Sequence, residues 1–86
     1  MPEICRFLGI IIAVFYDDHN PPHFHVRYEE FKAIVNIKDL TLKTGKLPPR
    51  VLGLVVEWAA LHREELLKEW DLAREQKPLF AIDPLK

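Results

Sequence analysis

Three histidines, His19, His23 and His25, fall inside the stretch DDHNPPHFHVR that runs from Asp17 to Arg27. Imidazole both exchanges protons near neutral pH and ligates transition metals, so this stretch carries the residue types best suited to chemistry. His23 and His25 stand two apart. On a strand this puts both rings on one face, with Cα atoms roughly 6.5–7 Å apart. One ion could bridge them. Asp17, Asp18 and His19 lie in the preceding loop, which Pro21 and Pro22 stiffen. A three-histidine or histidine–carboxylate set drawn from His19, His23, His25, Asp17 and Asp18 would therefore suit zinc, iron, nickel or manganese. A second chemistry requires no cofactor. His19, His23 and His25 could serve as general base and acid toward the 2′-hydroxyl of RNA, with Arg27 and Lys32 holding the phosphate and stabilising its transition state. The plain alternative is that His19 caps a turn, His23 and His25 are half-exposed strand residues, and the prolines only set the loop.

The elements that must position these groups can be read from hydrophobic periodicity. Cys5 to Tyr16, CRFLGIIIAVFY, is an apolar run without polar alternation, which predicts a central strand covered on both faces, with Gly9 as a bulge or a place of close approach. DDHNPP ends it. From His23 the residues alternate, with Phe24, Val26 and Tyr28 on one face and His23, His25 and Arg27 on the other. A third strand, FKAIVNI, sets Phe31, Ala33, Val35 and Ile37 against Lys32, Ile34, Asn36 and Lys38. The apolar rows must share the core, so the histidines, Arg27, Lys32, Asn36 and Lys38 share the opposite face. Glu29-Glu30 lacks the Gly or Asn of a tight primed turn, which predicts a loop longer than two residues. Leu40–Lys43 is a candidate fourth strand closed by a Thr44-Gly45 turn.

Pro48-Pro49 opens a helix, with Leu52, Val55, Val56, Ala59, Leu66, Trp70 and Ala73 at helical spacing. Continuous from Pro49 to Gln76 it would be about 42 Å long. Such a helix must bend near His62-Arg63 or project. A projecting half would expose Leu66, Leu67, Trp70 and Leu72, and with the apolar tail this predicts a homodimer through Leu66, Trp70, Leu79 and Phe80. Trp58 reads as a core anchor. The expected architecture is a single α+β domain: an antiparallel sheet of three strands, or four, over 1–47, a long or bent helix over 48–76, and an extended tail over 77–86.

The 86 residues are 49% hydrophobic and 29% charged, which allows one thin core and no second domain. No apolar run approaches the ~20 residues of a membrane helix. The start MPEICRF lacks the basic region and cleavage site of a signal peptide, and the single Cys5 forms no internal disulfide, so a cytoplasmic protein is expected. The net charge of -1 is unevenly spread. Lys32, Lys38, Lys43, Lys46 and Arg50 make the middle basic, and together with Asn36 they form a candidate nucleic-acid surface.

Taken together, DHNPPHFHV, LPPR, EWA, HREEL and the W-x-x-A of Trp70–Ala73 resemble a bacterial family known as domain of unknown function 4160, over nearly the whole chain. The resemblance implies a short bacterial protein encoded beside a small operon partner, in the manner of a toxin–antitoxin pair. A fold-level likeness to HicA-type mRNA interferase toxins rests on the HFH strand, the basic third strand and GKLPPRVLGLVVEWA. Those toxins start with a helix and place Gly-Ser before their histidine, whereas this chain has Pro21-Pro22. The expectations are thus a component acting on RNA in the manner of a ribonuclease, without a required cofactor. The alternatives are a protein binding zinc or a similar divalent ion, and an interaction module.

Overall fold

The computed structural model describes residues 3–85. The strands β1 (Glu3–Phe7), β2 (Ile10–Ala13), β3 (His23–Tyr28), β4 (Phe31–Asn36) and β5 (Leu42–Gly45) precede the helices α1 (Pro49–Leu61) and α2 (Arg63–Arg74). All strand pairs are antiparallel and neighbours in sequence are neighbours in the sheet, order β1-β2-β3-β4-β5. The α+β class stands; the strand count and the single helix do not.

The apolar run expected to be one central strand is a hairpin. Leu8 and Gly9 both have positive φ, 50° and 79°, and Phe7 pairs with Ile10, which defines a two-residue turn of the primed kind. Alternation was invisible because the second face of β2 is also apolar: Ile10 and Ile12 enter the core, while Ile11 and Ala13 face the other side with His25 and Arg27. The β3–β4 loop is likewise only Glu29-Glu30, since Tyr28 pairs with Phe31, and Glu29 itself takes the positive φ of 53°. The fourth candidate strand exists as β5 but is shifted. Gly45 lies within its ladder opposite Ala33, not in a turn. With φ at 86°, it comes so close to β4 that a Cβ would collide with the Lys32 carbonyl oxygen.

The helical stretch breaks at His62 (φ -122°, ψ 24°). A straight 42 Å rod would exceed the longest extent of the molecule, 33 Å, and the break lets both halves pack on one core. Leu66 and Trp70, expected at a dimer interface, are buried in the chain's own core at 0% and 3% exposure, and Leu79 and Phe80 pack half-buried against it. The stripe is satisfied within the chain. The tail is drawn in by hydrogen bonds: Ile82 N–H donates to the Ile4 carbonyl (2.8 Å), and Trp58 Nε1–H donates to that of Asp83 (2.8 Å). Trp58, fully buried, sits at the core's centre with its ring 5.8 Å from Phe7 and 6.1 Å from Phe24. Cys5 is buried among these residues, and burial pushes its thiol up, away from reactivity.

Glu69 of α2 is the buried carboxyl group of this core. One carboxylate oxygen accepts the Phe80 N–H at 2.9 Å; the other, Oε2, has no partner. Desolvation raises its pKa above the ordinary glutamate range, opposed by the Phe80 bond. The folded state therefore favours the neutral acid. Its contribution to stability is complete below the ordinary glutamate pKa and is lost as pH rises from there through the raised folded value. We expect denaturant midpoints of the wild type to fall across that window. Glu69→Gln should flatten the profile and be the more stable by about 1 kcal/mol above it. Parallel pH profiles for the two proteins would refute this.

Candidate metal and acid–base site

The site is assembled where the Asp17–Pro22 loop meets the first residues of β3. Neither proline has an N–H, so the backbone of each can only accept: the Pro22 carbonyl accepts a hydrogen bond from the Ile37 N–H (3.0 Å) and the Pro21 carbonyl accepts one from His23 Nδ1–H (2.9 Å). Because a carbonyl cannot donate, His23 must carry its hydrogen on Nδ1, which leaves Nε2 with a free lone pair in the neutral ring. That Nε2 lies 3.1 Å from Asp18 Oδ2, and His25 Nε2 lies 2.7 Å from the same oxygen. Asp18, His23 and His25 are the one set of three or more ligating side chains that converges among the described residues, all ligand atoms lying within 4.8 Å.

Two aromatic rings hold the imidazoles in place. Trp70 of α2 packs against His23 with ring centroids 4.9 Å apart and planes tilted by 52°, and Phe15 packs against His25 at 4.0 Å and 33°. His23 is buried at 5% exposure, His25 is half-buried and Arg27 exposed, so the face opens progressively along β3. Register places His23 opposite Asn36, His25 opposite Ile34 and Arg27 opposite Lys32, in agreement with the parity expected for this face. Beyond His25 a groove of about 410 Å³ is lined by Phe15, His25, Arg27, Lys32, Ile34 and Thr44, with Val26, Ala33 and Gly45 also contributing.

Several expected members do not join. Asp17 and His19 are exposed and outside the converging set, because the turn that aims Asp18 inward points its neighbours to solvent. Of the basic residues only Arg27 and Lys32 line the groove; Lys38, Lys43, Lys46 and Arg50 are exposed and do not line it, although the Lys46 N–H donates to the Lys32 carbonyl (3.0 Å). Asn36 is engaged in a turn, donating from Nδ2 to Thr41 Oγ1 (3.2 Å). His62 belongs to a separate place, 2.6 Å from Glu65 and packed against Trp58. Phe15 and Trp70 were missed as site residues. Phe15 follows Ala13 by two and so shares the face of His25, a parity visible once the hairpin at Leu8-Gly9 is known. For Trp70 no local signal exists.

Fold and site define a small α+β protein whose meander sheet carries a two-histidine, one-carboxylate centre at the closed end of its outer face. Residues 9–71 match the family model described as Domain of unknown function (DUF4160), and the chain belongs to that family. Among curated proteins and solved structures nothing matches, and the likeness to HicA-type toxins has no counterpart in these comparisons. No helix among the described residues is long and apolar enough to cross a membrane.

Proposed function

We propose that this protein binds a divalent transition-metal ion, zinc or one of similar preference, through His23 Nε2, His25 Nε2 and Asp18 Oδ2. One observation carries the reading. His23 spends its only neutral-state hydrogen on Pro21, so its Nε2 lone pair and the Asp18 oxygen face each other across 3.1 Å with nothing but a cation, proton or metal, to reconcile them. A histidine that donates its far N–H to a backbone carbonyl is the usual preparation of a metal ligand. Tetrahedral coordination at 2.0–2.1 Å separates ligand atoms by about 3.3 Å, so the His23 spacing already fits and the His25 pair opens by roughly half an ångström. Three protein ligands would leave a position free for water or substrate, on the side where His25 meets the groove.

A second reading is favoured by the 2.7 Å His25–Asp18 bond beside Arg27 and Lys32. There Asp18 orients His25, which works without metal as base and acid on the ribose 2′-hydroxyl of RNA, as a toxin-like member of a two-protein operon would. One experiment separates the two. Titrated with zinc, the wild type should bind about one ion per chain, and His23→Ala, His25→Ala and Asp18→Ala should each abolish it while remaining folded by circular dichroism. Absence of zinc binding in the wild type sinks the metal reading. RNA cleavage that persists in chelator and vanishes in His25→Ala selects the second.

A further inference from the structure

We propose that the groove beside the triad binds a nucleotide, its phosphate held between Arg27 and Lys32 and its base laid along Phe15 and Ile34. The inference deepens the reading of this face as the working one, and it does not depend on a bound metal.

The argument begins with an electrostatic anomaly in the sheet. Arg27 and Lys32 are direct cross-strand partners in β3 and β4, and like charges placed opposite each other destabilise a sheet. Among the described residues neither forms an ion pair. An oxyanion between them would remove the repulsion, and the planar guanidinium with an adjacent ammonium suits the several oxygens of a phosphate better than a single carboxylate.

The next row of the same face is of different chemistry. His25, Ile34 and Thr44 lie side by side across β3, β4 and β5, and Phe15 packs against His25 at 4.0 Å. This presents an apolar surface, Ile34 with Phe15, next to one hydroxyl and the imidazole. A complementary ligand has a dianion at one end, a flat apolar group at the other and hydroxyls between, which describes a nucleotide. The groove's volume of about 410 Å³ falls within the roughly 300–1,000 Å³ typical of small-molecule sites. Gly45 permits it, since only a residue without a side chain lets β5 close that wall against Lys32.

Calorimetric titrations of the full chain with AMP, adenosine, ribose 5-phosphate and phosphotyrosine test the assignment, in EDTA and again after zinc loading. AMP should bind at least tenfold more tightly than each of the others. The double variant Arg27→Met, Lys32→Met should lose at least tenfold for AMP and little for adenosine. AMP binding in EDTA by a protein that takes up no zinc upholds the nucleotide site and fails the metal reading; zinc uptake without AMP binding in either state does the reverse. Phosphotyrosine binding tighter than AMP, or AMP affinity unchanged in the double variant, overturns the proposal. A 5′-phosphorylated oligoadenylate tighter than AMP identifies the source as an RNA end and equal affinity as the free nucleotide, both in support of the class.

Discussion

Trp58→Ala is expected to lower stability by about 3–5 kcal/mol, the range for removing a fully buried aromatic side chain. For a chain of this size total stability is about 4–13 kcal/mol, so the variant should lose a quarter or more of it and unfold at a clearly lower denaturant concentration than the wild type. The position is singular because the indole does two jobs. Its ring joins the sheet core at Phe7 and Phe24 to α1, and its Nε1–H ties down the tail at Asp83. Trp58→Phe separates them: it keeps most of the packing, loses the hydrogen bond, and should cost about 1 kcal/mol for that bond plus a modest packing term. Chemical denaturation followed by circular dichroism measures both. Equal losses in the two variants would mean that the tail bond, not the ring, dominates, contrary to this account.

The second large effect concerns the triad. A ligand that binds only the folded state stabilises it by about 4 kcal/mol at a thousandfold excess over Kd. In a domain of this size each kcal/mol moves Tm by about 4–8 °C, so saturating zinc should raise the melting temperature by about 16–32 °C. The rise should disappear in Asp18→Ala and His23→Ala and on adding chelator to the loaded wild type. His19→Ala and Asp17→Ala should melt and respond as the wild type does, since both residues stand outside the converging set. A shift of only a few degrees in the wild type, or one that survives His23→Ala, would remove the metal centre as an explanation of this geometry. Trp70→Leu offers a finer check on the same site, because it removes the ring packed against His23 without touching a ligand.

How much of this was legible in the chain follows from the range over which each feature is encoded. Strand parity is local: with a side-chain period of two, His23, His25 and Arg27 had to share a face, and pairing with β4 then placed Lys32 on it whatever the register. The hairpin at Leu8-Gly9 was not legible. Burial of the outer face near Ile11, Ala13 and Phe15 erased the alternation that marks a half-covered strand, and the first turn residue is a leucine at positive φ, which no propensity favours. The helix break, with its place near His62-Arg63, was one of two outcomes that length allowed, and packing of both halves on one core selected it over a projecting second half.

For the site, the sequence by itself determined the groups on offer: histidine nitrogens two residues apart on a strand, carboxylates in the loop before them, and prolines whose backbone, lacking an N–H, can only accept. Tertiary structure decided which of them are used. Asp18 rather than Asp17 or His19 faces the rings because the turn permits only one of these side chains to point inward. It also decided that Trp70, far away in the chain, closes over His23, since the break at His62 lets α2 pack on the same core as the sheet. Composition and period act between near neighbours, whereas the direction of a loop side chain and the partner of a distant indole depend on the whole core being in place.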